Sequence, residues 1–334
     1  MLIVKSKAIF FLLGGIICLI PINKMPSSAS ATGYDVSFLQ ANLPYPDEAK
    51  GYRDITVFED QFVAVGTFGR IDRIARSGKI TPVANAIKED LNGVIYDNKT
   101  IIAVGNGGTI LVSTDGQTCR KIESGTTKNI NSITSFSGIL VAASEKDIIL
   151  IPEDGNKCRN IHLSIKGEII SVSAGTSACF GVTDKGEIIR TSDAVNWDIF
   201  DYNLKYAGYN KPCSFKDVLL AGNRIAIIGE HEDGTPAVLF SSLGNLWTER
   251  ALNYTDDNGV MGILTNLPND ISYDSIEDQF FIACANGEIL SLPSCSKCNK
   301  LYTVTGKDLY GINNSENTLI IVGADYFVNT IKIR

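Results

Sequence analysis

The sequence predicts an all-β fold, a seven-bladed β-propeller of four-stranded antiparallel blades, and three observations carry that prediction. An apolar run that closes on a small residue recurs seven times, at Gly66, Gly105, Ser144, Thr183, Gly229, Ala285 and Gly323, with spacings of 39, 39, 39, 46, 56 and 38 residues. The same local grammar surrounds each closing residue. A short turn follows the first run, then a second run, then a turn of the Asp-Gly kind, as in STDGQTCRKI over Ser113–Ile122. Finally, the chain between Tyr34 and Arg334 offers no convincing amphipathic helix. Its short runs, rich in Ile and Val and bounded by turn residues, are strands.

Taken in order, residues 1–31 read as an export signal. Lys5 and Lys7 precede an apolar run over Ala8–Ile20, and a polar stretch ends in Ala29-Ser30-Ala31, a small-x-small cleavage pattern. That run is short for a membrane span, so no stable membrane insertion is expected after cleavage, and the product is periplasmic or extracellular. Cys18 follows Gly15-Ile16-Ile17, where a lipoprotein signal would place a small residue directly before the cysteine.

Residues 32–334 form one domain, with blades near 51–87, 88–127, 128–166, 167–209, 210–260, 261–307 and 308–334. The last unit runs out after its third strand, whereas YDVSFLQA over Tyr34–Ala41 is a strand without a unit. Placing 34–41 in the seventh blade closes the ring and covers two sheet edges at once.

Charge narrows the partners. Cleavage removes three of the 30 basic side chains and none of the 37 acidic ones, leaving 27 against 37. An acidic surface repels phosphate backbones, so nucleic acid is not an expected partner. Of the 8 cysteines, Cys179 and Cys284 sit in apolar runs as small buried hydrophobes. Cys295 and Cys298 are close enough for a local disulfide, with inert thiols as the other reading. A lone pair lacks the four ligands of a structural zinc site, so neither metal nor cofactor is expected.

The turn at Ser113-Thr114-Asp115-Gly116 joins the third and fourth strands of its blade. Asp115 bonds backbone amides ahead of it, and Gly116 supplies the positive φ. The outer strand then opens on an inward residue, Cys119, Cys158 or Cys298 in some units and Trp197 or Trp247 in others. On these turns (STDGQTC, EDGNKC, TSDAVNW) the chain resembles the BNR/Asp-box repeat propellers, a group that includes sialidases and photosystem II assembly-factor propellers. The resemblance implies a fold and a peripheral structural turn. Sialidases have six blades and a convergent arginine triad; this chain counts seven, and Arg70, Arg120, Arg190, Arg224 and Arg250 fall at unrelated repeat positions.

Departures from the 39-residue period locate the candidate site. They are Gly229–Gly234 in blade five, the connection over 200–212, and the one over 253–274. Strand order puts all three on one face over blades four to six. Tyr202, Tyr206, Tyr209, His231, Asp233 and Tyr254 are therefore the candidate binding residues, since aromatic rings on loops bury area at little entropic cost. The alternative is that these tyrosines pin their own loops and the acids are solvated. With two histidines in different blades and no GxSxG or HExxH motif, Ser/His/Asp chemistry has little support. The leading expectation is a non-enzymatic module binding a protein or glycan. The alternative is a secreted glycan-active enzyme, hydrolase or lyase, whose acids from different blades meet at the central channel.

Overall fold

Runs of five to nine residues with apolar side chains on both faces become strands that are covered on both sides, and stacking sheets face to face around an axis supplies that cover. The computed structural model describes residues 34–39, 51–152, 157–255, 260–293 and 299–333. It contains seven four-stranded antiparallel sheets. Blade one is typical, with strands Tyr52–Phe58, Gln61–Gly66, Ile71–Ala75 and Ile80–Pro82 from the axis outward. The six innermost strands that follow are Leu91–Asp97, Ser132–Phe136, Ile169–Ala174, Cys213–Ala221, Pro268–Asp274 and Leu309–Ser315. The core lies between neighbouring blades. Val63, Val65 and Ile71 of blade one, for instance, pack on Leu91, Val94 and Ala103 of blade two.

Four of the seven small closing residues are glycines with a packing cause. A Cβ added at Gly66, Gly105, Gly229 or Gly323 would come within 2.1 to 2.3 Å of a carbonyl oxygen at the start of the same blade's innermost strand. In these four blades the second strand passes too close for any side chain. The Asp-Gly turns also take the expected form. Gln117 N and Thr118 N donate to Asp115 Oδ1 at 2.8 and 2.9 Å, and Gly116 has φ 62°. Asp193 repeats the arrangement with Val195 N and Asn196 N. Cys119, Cys158 and Trp197 pack at the edges of the inter-blade cores, and Trp247 is buried within one.

Tyr34–Leu39 runs antiparallel to Val328–Ile333, with Tyr34 opposite Ile333 and Leu39 opposite Val328. Where blade seven meets blade one, the Arg70–Asp72 ion pair is buried, and the Tyr52 hydroxyl donates to the same carboxylate. The Arg70 guanidinium also lies 4.2 Å from the Tyr326 ring centroid. Burial, then the Asp72 charge, push the Tyr52 hydroxyl well above its ordinary range.

Two long segments fold differently from a plain loop. The extra residues of blade five lengthen its second strand to His231, so the insertion is absorbed into the ladder rather than looped out. The 253–274 connection forms a hairpin, Asn253–Thr255 against Met261–Ile263. Among the described residues the one α-helix is Tyr202–Lys205, and no helix is long and apolar enough to cross a membrane. The signal segment, Cys295 and Cys298 lie outside the described residues.

Candidate functional site: the blade-five rim and the central channel

The 200–212 connection is held by its own side chains. Asp201 caps the short helix by accepting from Leu204 N at 2.9 Å. Asn203 bridges back to Cys213, accepting from its N–H at 2.8 Å and donating to its carbonyl at 2.9 Å. Tyr202 is wholly buried, and its hydroxyl accepts from Asn210 Nδ2 at 2.7 Å. Burial raises that hydroxyl to about 12. Tyr206 lies against Tyr202 with ring centroids 4.6 Å apart, and its hydroxyl accepts from Trp247 N.

His231 is buried as well, between Cys213 Sγ at 3.3 Å from Nδ1 and Glu249 Oε1 at 2.7 Å from Nε2. Cysteine, histidine and glutamate stand here in the order of a nucleophile, a base and its orienting acid. The thiol, however, is closed into the core, and burial raises it to about 12. The thiol stays protonated, and each imidazole nitrogen lies within hydrogen-bonding distance of one partner, so the three side chains serve as a structural clasp.

The loops thus bring Tyr202, Tyr206 and His231 into one packed corner, and burial takes Tyr202 and His231 off any contact surface. Asp233 is exposed and pairs with Lys211 and Thr235, which hold its carboxyl below the usual range. Tyr254 stands on the separate hairpin, its ring over Gly262. Tyr209 alone of the six is largely free, at 89 % exposure. Pinning of the loops therefore accounts for most of the aromatic enrichment.

What remains open is the outer edge of blade five. Its fourth strand is only Thr248–Glu249, paired with Phe240 and Leu239. A cavity of about 580 Å³ lies on one side, lined by Arg224, Phe240, Leu246, Glu249, Arg250 and Phe280 among others. Another of about 480 Å³ lies on the other, lined by Lys205, Tyr206, Tyr209, Asn210, Trp247 and Glu249 among others. Leu204, Leu243 and Leu246 stand around them largely exposed.

The axis carries a second feature. In six blades the innermost strand is irregular near its start, with register shifts such as those between Tyr52/Asp54, Phe215/Asp217 and Pro268/Asp270. The extra residue re-aims the next one. The corresponding position reads Asp54, Gly93, Ser132, Ser171, Asp217, Asp270 and Gly311 around the ring. The aspartates and serines among them link neighbouring blades. Val94 N donates to Asp54 Oδ2 at 2.7 Å, Val172 N to Ser132 Oγ at 3.2 Å, and Ile312 N to Asp270 Oδ2 at 2.6 Å. Ser171 Oγ donates to Asp217 Oδ1.

All three aspartates line one channel cavity of about 400 Å³. Burial, followed by the Asp217 charge, raises Asp54 to about 7, and burial with both neighbouring carboxylates raises Asp270 well above its ordinary range. Asp217 is raised too, again chiefly by burial. The opposite end of the channel is basic, with Arg53 and Lys216 beside Asn269 and Tyr310.

The sign of the pH dependence follows. An acid whose folded pKa exceeds its unfolded value binds its proton more tightly in the fold, so its contribution is full below pH 4 and is lost as pH rises to about 7. Stability to urea is expected to fall between pH 4.5 and pH 8, and the slope should flatten in Asp54→Asn. A flat or rising wild-type profile over that window would contradict the arrangement.

No protein-family model matches the chain, and no curated protein does. The fold defines the class, a seven-bladed propeller, and solved structures agree. YCF48 bound to D1 peptide is similar at TM-score 0.67 and 14% identity, over 92% of this chain and 99% of that one. The WD40 β-propeller domain of Doa1 is similar at 0.66 and 13%, over 91% and 98%. The Pan2 WD40 domain of Neurospora crassa matches at 0.67 and 10%, over 92% and 97%. At these identities the likeness is one of fold.

Proposed function

We propose that this chain is an exported, non-enzymatic scaffold that holds an extended protein segment along the rim of blade five. The observation that carries the reading is the pair of cavities flanking Thr248–Glu249, with exposed Tyr209, Leu204 and Leu246 around them. The short outer strand, with Arg250 N donating to the Val238 carbonyl just beyond it, runs between the two cavities. An extended segment laid along this rim sends alternate side chains into the cavities. That a peptide is bound to the similar YCF48 propeller supports a peptide over a glycan. The segment over 1–31 supports export to the periplasm or beyond. The turns at Asp115 and Asp193 support the Asp-box likeness, and the Tyr34–Leu39 pairing supports closure of the ring by that strand.

The test is selection of peptides on the wild-type protein, followed by fluorescence anisotropy on the selected sequence. Tyr209→Ser with Leu246→Ser is expected to weaken binding by about tenfold or more with the circular dichroism unchanged. Equal affinity for the double variant would end the reading. The glycan-active alternative has one observation in its favour, the meeting of Asp54, Asp217 and Asp270 in the channel. Release of reducing ends from a glycan panel, lost in Asp217→Asn, would put it in place of the scaffold.

A further inference from the structure

We propose that the central channel is a binding site for a short aliphatic diamine or polyamine, held by Asp54 on one wall and by Asp217, Asp270 and Ser272 on the other. None of the residues lining this cavity is basic, so three carboxyl groups share it without a counter-ion. The lining titratable groups are those three and Tyr273. Ser272 is 6 % exposed, and its hydroxyl has no hydrogen-bond partner. Two positions beyond Asp270 on the same strand, it faces the same way. A buried hydroxyl left unmatched is costly and points to an absent partner.

The kind of cation follows from spacing and from the walls. Among the described residues no three acidic, histidine or cysteine side chains converge closely enough to chelate one metal ion. The acids come from blades one, five and six, and the lining between them includes Val94, Ile95 and Leu219. A chain of methylenes with an ammonium at each end suits both parts. One end meets the Asp217–Asp270 pair and Ser272, and the other meets Asp54. The two oxygens of Asp54 accept one backbone N–H each, from Ile55 and Val94, and each retains a second lone pair for the ligand. Empty, the well holds protons, because burial disfavours its charged form. Entry of a dication reverses that preference and expels protons into the buffer.

Calorimetry on the full chain with 1,4-diaminobutane, butylamine and a lysine-containing peptide tests this. The diamine is expected to bind about tenfold or more tightly than butylamine. Proton release near pH 6.5 would appear as a heat that changes between phosphate and Tris. Asp270→Asn should weaken the diamine by about tenfold, and Ser272→Ala, which removes a hydroxyl with no hydrogen bond in the fold, by about threefold. No heat at about 10 mM diamine, or both variants binding as wild type does, would overturn the site. A lysine peptide binding more tightly than the diamine would overturn the ligand class. Tyr209→Ser with Leu246→Ser should leave diamine binding unchanged, so the outcome is independent of the rim.

Discussion

Asp72→Ala is expected to cost about 3 to 5 kcal/mol in urea unfolding, the loss typical of removing one partner from a buried ion pair. Asp72 is fully buried and accepts from both Arg70 and Tyr52. Its removal takes the carboxylate from the buried Arg70 guanidinium and from the Tyr52 hydroxyl that donates to it. The faces of Tyr326 and Tyr52 give the guanidinium only part of what it loses. Replacing both members, Arg70→Leu with Asp72→Leu, should recover most of the deficit, because no charge then needs desolvation. A cost below about 1 kcal/mol for Asp72→Ala would show that the pair at this blade junction is not the constraint described.

Removing the segment up to Leu39 is expected to have an effect of similar size or larger. Leu319 to Ile321, on the adjacent strand, are wholly buried, as are Val328 and Ile331 on the strand that Tyr34–Leu39 pairs with. Without that pairing Val328–Ile333 becomes an open edge, a template for pairing with another chain. The truncated protein should lose its sharp urea transition or shift it by several kcal/mol, and should self-associate on a sizing column. A monomer with an unchanged midpoint would show that the ring closes without the strand.

Much of the fold was legible because the constraint that sets it repeats. The glycine at Gly66, Gly105, Gly229 and Gly323 is forced by a carbonyl oxygen at the same place in each of these four blades, and a forced residue recurs at the same place in its unit. The rim was only partly legible. Loop length points to 200–212, but tyrosine spacing carries no information on which rings turn inward, and Tyr202 turns in while Tyr209 turns out. The Cys213–His231–Glu249 clasp could not be read, because Glu249 lies on a different strand and reaches His231 through the tertiary fold. The channel layer was readable in principle. Aligning GYRDITV, SFKDVLL and LPNDISY places Asp54, Asp217 and Asp270 in one column.

Several of the links between adjacent sheets end on a main-chain N–H, as at Val94, Val172 and Ile312. Every amino acid but proline carries that donor, so the receiving sheet can change its side chains freely without breaking the joint. Duplication or loss of a whole unit therefore needs only one new acceptor at the seam. A lineage of such chains can drift far in spelling, and even in unit number, while its circular form persists.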